Sequence, residues 1–327
     1  MGIPGTTGGM GKEPLMEAEG FKLSGPFTHE NLTLFLIHGA DRLVGKPYRT
    51  LQEAMERQEV IVHETQNIHE LAIENISDAE IYIQSGDIVK GGKQDRVIAV
   101  DFIAPARSGK LPIASFCVER GRWRERGQES SMAFSSSLLQ VPSKGAKLAT
   151  RVSRSQQEVW AKVAESQHKL SRVLGEQVQD EASVTSLQLT LEHQKVQART
   201  EEHIQALSSV LDNKPDVIGY AFAINGKFNS ADVYASHELF GKLWPKLLRA
   251  SAVEAVSELR PDQQFPQLKA EDIKAAMRDA QQGGTSQKEV SPRVRMVTQQ
   301  TEQNIYFRTH DRARSEAVVH ESWVSAT

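Results

Sequence analysis

The chain has one cysteine, Cys117, so no internal disulfide can form and a reducing compartment is the default expectation. Aromatic residues make up only 6%, too few for a platform that stacks single-stranded nucleic acid. There is no basic excess either: 39 Lys and Arg stand against 42 Asp and Glu, a formal net charge of -3. That balance argues against a general nucleic-acid binder. No apolar run reaches the ~18–20 residues of a membrane span, and no secretory signal opens the chain. The expectation is a cytoplasmic protein with neither nucleic acid nor membrane as partner. Familiar catalytic signatures are missing too. The sequence contains no Gly-x-Ser-x-Gly elbow, Walker loop, Cys-x-x-Cys pair or His-Glu-x-x-His helix. Gly86-Asp87 with Gly91-Gly92 is not a dinucleotide fingerprint, because strand patterns follow it.

The 327 residues suit one large or two ordinary domains. Residues 1–24 read as a flexible leader, with five glycines before Lys12. Met1 to Thr6 also meets the bare N-myristoylation pattern, which is short enough to arise by chance. Residues 25–135 read as a β-rich domain of short strands at ~8–12-residue spacing, separated by Gly, Pro and Asp turns. Thr50 and Glu53 form a capping box for a short helix there. Residues 136–327 read as a helical region followed by a mixed α/β part. Ser155 and Gly175 bracket one helix, and Asn225-Gly226 is a hairpin signal. Pro245 is expected near a helix start or at a kink. The stretch 184–211 is helical with a polar middle, either exposed to solvent or packed on a second copy. The fold class expected is α+β, with an N-terminal antiparallel β-sandwich or barrel-like domain.

Charge is unevenly placed. From Lys90 to Arg126 there are nine basic and four acidic residues, five charges positive within a chain that is negative overall. Lys93, Gln94, Arg96, Arg120, Arg122 and Trp123 are the candidate anion-binding residues. Arginine grips phosphate through a two-pronged fork, lysine offers a point charge, and Gly91-Gly92 lets backbone N–H groups come close. The structural alternative is that Arg96 and Arg122 form buried ion pairs with Asp101 or Glu119. Cys117 and Glu119 share a strand face. Cys117 lies in an apolar run and reads as inert core, which leaves Glu119 as the candidate general acid or base. His63, Glu64 and His69, with His38 nearby, are donor types for a divalent metal. Their spacing matches no metal motif, so no cofactor is expected.

Several patterns occur in a fixed order. Tyr48-Arg49-Thr50-Leu51-Gln52-Glu53-Ala54 precedes a strand trailing Glu64. Gly86-Asp87 leads to Gly92-Lys93-Gln94-Asp95-Arg96, and Pro112-Ile113 leads to Cys117-Val118-Glu119-Arg120-Gly121-Arg122-Trp123. Gln156 or Gln157 with Val159-Trp160 follows, then Gly219, Asn225-Gly226 and Trp244-Pro245-Lys246-Leu247-Leu248. Over about residues 27–257 the chain resembles the ARG and Rhodanese-Phosphatase-superfamily-associated protein family. Relatives tend to have Lys-Gln-Asn-Arg where this chain has Asp95, an acid that would temper an anion site. The family name implies association with ADP-ribosylglycohydrolases and rhodanese-like phosphatases. By association, the resemblance implies ADP-ribose, NAD or a nucleotide-derived phosphate as ligand, with hydrolysis as the activity it would add. The alternative is a structural protein that assembles with itself as a homo-oligomer and catalyses nothing.

Overall fold

The computed structural model describes residues 20–43, 45–65, 67–121 and 134–327. Most of the Gly-rich leader lies outside these residues, as do Arg122 and Trp123. The described chain opens with the hairpin β1 (Lys22–His29) and β2 (Leu32–His38). β3 (Arg49–Thr50) runs into α1 (Leu51–Glu56). Next come β4 (Val60–Glu64), β5 (Glu70–Asn75), β6 (Ile81–Ile83), β7 (Asp87–Gly91) and β8 (Arg96–Ile98). β9 (Phe102–Ala104), β10 (Leu111–Cys117) and β11 (Phe134–Gln140) complete this half. The middle holds α2 (Lys144–Leu148), a π-helical turn (Ala149–Ser153), α3 (Gln156–Leu174), α4 (Leu187–Glu192) and α5 (Gln194–Leu207). The hairpin β12 (Val217–Ile224) and β13 (Lys227–Tyr234) precedes α6 (His237–Ser257) and α7 (Ala270–Gln281). The last strands are β14 (Gly284–Glu289), β15 (Val294–Gln300), β16 (Asn304–Asp311) and β17 (Ala317–Ser325).

Local chemistry accounts for many of these boundaries. The Thr50 hydroxyl accepts the Glu53 N–H, and the Glu53 carboxylate accepts the Thr50 N–H at 2.9 Å, so the capping box closes as expected. Ser155 caps α3, and Gly175 ends it at a φ of 71°. Asn225 and Gly226 take φ of 53° and 68°, the two positive values a type I′ turn demands. Pro245 stands inside α6, well past its start. The residue four before it, whose carbonyl a proline ring crowds, is Gly241, the type with most backbone freedom. The polar helical stretch corrects the expectation more sharply. It breaks at His193, where ψ is 131°, into α4 and α5. Val196, Thr200, His203 and Leu207 of α5 are buried, because spacings of three and four bring them to one face.

Three sheets result. An eight-stranded antiparallel sheet has the order β1-β2-β12-β13-β17-β16-β15-β14, so hydrogen bonds join residues 22–38 to the C-terminal half of the chain. Helix α6 covers one face through Leu239, Phe240, Leu243 and Trp244. Helix α7 covers the other through Ile273, Met277 and Ala280. β12 is therefore buried at every position and reads as one apolar run. The N-terminal half builds a six-stranded antiparallel sheet, β11-β7-β8-β10-β5-β4. Its end strands approach each other, which makes it a nearly closed barrel. A small third sheet, β3-β6-β9, joins the two larger ones and contains the short parallel pair β3–β6. Among the described residues no helix is long and apolar enough to cross a membrane.

A buried charged cluster ties these layers together. The imidazole of His320 on β17 donates through Nδ1 to Asp101 at 2.8 Å and through Nε2 to Asp232 on β13 at 3.1 Å. Asp101, between β8 and β9, also accepts the Ser85 N–H at 2.9 Å and the Thr309 hydroxyl at 2.6 Å. Burial alone would lower the His320 pKa, but the two carboxylates outweigh it and lift the group to about 9. Burial would raise Asp101, but His320, Arg151 and Thr309 hold it well below the usual carboxylate range. Asp232 is lowered in the same way, with His320 overriding its burial.

Because the folded His320 pKa lies above the ordinary ~6.5, its stabilisation is complete below about pH 6.5 and lost as pH climbs towards 9. The melting temperature should therefore fall over that interval. His320→Gln should remove that slope and cost about 3–5 kcal/mol, because it strands two buried carboxylates. Scanning calorimetry at several pH values checks this, and a slope unchanged in the variant would exclude the cluster as its source.

Candidate anion site at the end of strand β10

The basic segment is positioned by the pairing of β8 with β10, in which Cys117 lies opposite Arg96. The Val118 N–H donates to the Asp95 carbonyl at 3.0 Å and extends that ladder past the strand end. Around the strand end, groups of α3 and of the segment that leads into α4 take up the remaining backbone groups. Gln156 of α3 accepts the Cys117 N–H at 2.8 Å and donates to its carbonyl at 2.7 Å. The Leu187 N–H reaches the Val118 carbonyl at 3.1 Å, and the Trp160 indole N–H reaches that of Glu119 at 3.2 Å. The Thr185 hydroxyl accepts the Arg120 N–H and donates to its carbonyl, both at 2.9 Å. Buried backbone groups must be paired, and here the pairing anchors the segment to α3 and to the loop before α4.

The expected site residues divide by burial. Arg96 is fully buried; it donates to the Ile68 carbonyl and, at 3.2 Å, to Glu64. Its ion-pair partner is Glu64, where Asp101 and Glu119 were the expected candidates. Asp95 accepts the Gly91 N–H and the Ser186 hydroxyl, each at 3.0 Å, so this acid braces the β7–β8 turn. Glu119 is buried, and its carboxylate accepts the Asp95 N–H at 3.3 Å. Gln94 is buried, and neither of its amide atoms is hydrogen-bonded among the described residues. Lys93 is half-buried, with its backbone N–H on Glu64 at 3.2 Å. Arg120 is exposed, and its guanidinium lies 5.6 Å from the centre of the Trp160 ring. Among the described residues no carboxylate pairs with Lys93 or Arg120. Arg120, Gln157, Trp160, Gln167 and Thr185 line a cleft of about 410 Å³.

A larger cleft of about 730 Å³ lies beside α5, but its cations are occupied. Lys90 pairs with Glu192 at 2.7 Å, and Arg249 pairs with Glu201 at 3.3 Å. The metal-donor set raised from sequence does not assemble. His63 and Glu64 are adjacent on a strand and so face opposite ways. His63 pairs with Glu74 at 2.7 Å, Glu64 is taken by Arg96, and the His69 ring packs on Phe116. Among the described residues, the trio with metal-donor spacing is His29, Glu30 and His203, elsewhere in the molecule. Cys117 is buried and burial pushes its thiol up to about 11, as befits core.

Sequence patterns missed the Asp101–His320–Asp232 cluster, whose members lie far apart along the chain. They also missed the role of Lys246. Its ammonium is buried against Asp87 at 2.6 Å, which ties α6 to the barrel. Two of the ordered motifs, Gly86-Asp87 and Trp244-Pro245-Lys246, are thus halves of one ion pair.

The molecule is a mixed α+β protein in which a nearly closed barrel is bolted onto a sheet covered by helices on both faces. The ARG and Rhodanese-Phosphatase-superfamily-associated Protein domain matches residues 20–327, and the chain belongs to that family. The match takes in the last strands, which pair within the same sheet as β1 and β2. No curated protein and no solved structure matches the chain.

Two outcomes follow for the strand end. Gln156→Ala leaves a buried N–H and C=O of Cys117 unpaired and should lower stability by about 1–3 kcal/mol per orphaned group. Urea unfolding measures this, and a loss under ~0.5 kcal/mol would show that water replaces the amide. Cys117 in the native protein should resist a thiol-reactive dye at pH 8 and label fully once unfolded. Rapid native labelling would contradict its placement in the core.

Proposed function

We propose that this protein binds an anionic small molecule, of the ADP-ribose or nucleotide-phosphate class, in the cleft between Arg120 and Trp160. The observation that carries the reading is a guanidinium with no carboxylate partner among the described residues, set over an indole at a cleft of about 410 Å³. Small-molecule sites span about 300–1,000 Å³. Arg120 supplies charge and a forked donor set. Trp160 supplies an aromatic surface, while Thr185 and Gln157 add polar contacts. Lys93 contributes positive charge at the same end of the barrel. The unpaired Gln94 amide also supports a polar ligand near the β7–β8 turn, since buried amides are normally satisfied. Arg96, Asp95 and Glu119 act in this reading by holding the turn. Binding is favoured over turnover because the Glu119 carboxylate is buried against the Asp95 N–H.

Titration calorimetry with ADP-ribose, NAD and inorganic phosphate tests the proposal. One of the nucleotide compounds should bind saturably. Arg120→Ala should weaken it by about tenfold or more, the loss of one charge-assisted contact. Its melting temperature should stay within about a degree of the parent, because Arg120 is exposed. If none of the three compounds binds, or if the variant binds equally well, the cleft is not the site.

A further inference from the structure

The stretch from Glu192 to His203 is almost wholly polar, yet His203 is completely buried. It faces the turn between β1 and β2. His29 ends β1 there, and Glu30 opens the turn at a φ of 49°, a region where glycine costs least. The two imidazoles meet edge to face, with centroids 4.9 Å apart and an interplanar angle of 85°. Nε2 of His29 and Nε2 of His203 are both buried without a hydrogen-bond partner among the described residues. Nε2 of His203 lies 3.5 Å from a Glu30 carboxylate oxygen. One donor atom from each of the three residues lies within 4.8 Å of the others.

Two buried ring nitrogens without partners beside a carboxylate form a costly arrangement. A buried polar group without a partner loses its hydration with nothing in return. We propose that His29, Glu30 and His203 form a binding site for a divalent transition-metal ion, zinc being the best match. Two imidazole nitrogens and one carboxylate oxygen are a zinc donor set that leaves a fourth position for water. Zinc–ligand bonds of ~2.0–2.2 Å put neighbouring tetrahedral donors ~3.3–3.6 Å apart. The His203–Glu30 separation of 3.5 Å already has that value. Closing the set takes only a small movement of His29, which stands on a hairpin end.

The surroundings orient the donors. Nδ1 of His203 lies 3.4 Å from the Arg199 carbonyl, an acceptor that favours the proton on Nδ1 and leaves Nε2 as the atom able to ligate. Arg199 donates to both Glu30 oxygens, at 2.6 and 2.8 Å, and fixes the carboxylate plane. Its positive charge opposes a cation, and Glu202, paired with Arg199 on the other side, offsets part of that charge. The metal would clamp α5 to the β1–β2 turn. None of the three donors lines the Arg120 cleft, so the inference stands independently of the proposed function.

The test is titration of the chelator-treated full chain, carrying no histidine tag, with Zn²⁺ and with Co²⁺. Calorimetry reads the zinc stoichiometry, and visible absorption reads the cobalt geometry. One equivalent of zinc should bind, with a low-symmetry or tetrahedral cobalt spectrum and a raised melting temperature. His29→Gln, at a half-buried position, should weaken zinc by at least about tenfold and abolish the thermal shift. Glu30→Gln should act in the same direction. The absence of stoichiometric binding would overturn the proposal. So would zinc binding unchanged by His29→Gln and Glu30→Gln, which would place the ion on other histidines. His203→Gln is a third arm, and the other two variants decide the matter if it does not fold.

Discussion

The arrangement depends most on buried charge shared between layers. His320 is held by Asp101 from the barrel side and Asp232 from the eight-stranded sheet, and Lys246 of α6 reaches Asp87 at the barrel. Each group would be costly to bury alone, because removing a charge from water costs several kcal/mol. Each is acceptable only when the other layer delivers its partner at hydrogen-bond distance. Such hydrogen bonds weaken steeply with distance and angle, and these join the barrel and the covered sheet at defined residues. Gln140 and Gln84 extend the network to Tyr234, whose ring stacks on His320 at 4.6 Å. The electrostatic and aromatic contacts are thus parts of one joint.

That joint changes how the ordered motifs are understood. Gly86-Asp87 and Trp244-Pro245-Lys246 look like separate patches in the sequence, but they meet as an ion pair. Arg96 and Glu64 meet in the same way. Gln156 and Trp160 hold the chain that leaves β10. Three described members of the basic cluster, Lys90, Arg96 and Arg107, are taken up in ion pairs. Among its described members Lys93, Lys110 and Arg120 have no carboxylate partner, and of these Lys93 and Arg120 lie at the end of β10. The remainder is what a ligand can reach, because a buried cation is shielded from solvent and already neutralised by its carboxylate.

Local signals were legible wherever a short-range rule applied. The Thr50–Glu53 box, the Ser155 cap, Gly175 and Asn225-Gly226 all do what their chemistry requires within a few residues. The apolar run of β12 was readable because both faces of its sheet are covered. Other elements were hidden. β14 is exposed at every position and has no apolar alternation to read. In α5, Thr200 and His203 face inward although neither residue type marks a core position. The Glu64 partner of Arg96 was missed because the two are 32 residues apart, and nothing local joins them.

The sequence by itself determined the charge balance, the cap and turn positions, the α+β class and the family. Each follows from interactions among near neighbours in the chain or from residue order. Only the tertiary structure decided which cations are free and which are paired, and which histidines meet. His29 and His203 are brought together by the packing of α5 on the β1–β2 turn, and His320 meets Asp101 by the docking of a barrel on a sheet. Charge and ligation depend on distances of a few ångströms between residues that lie far apart in the chain, and the fold is what sets those distances.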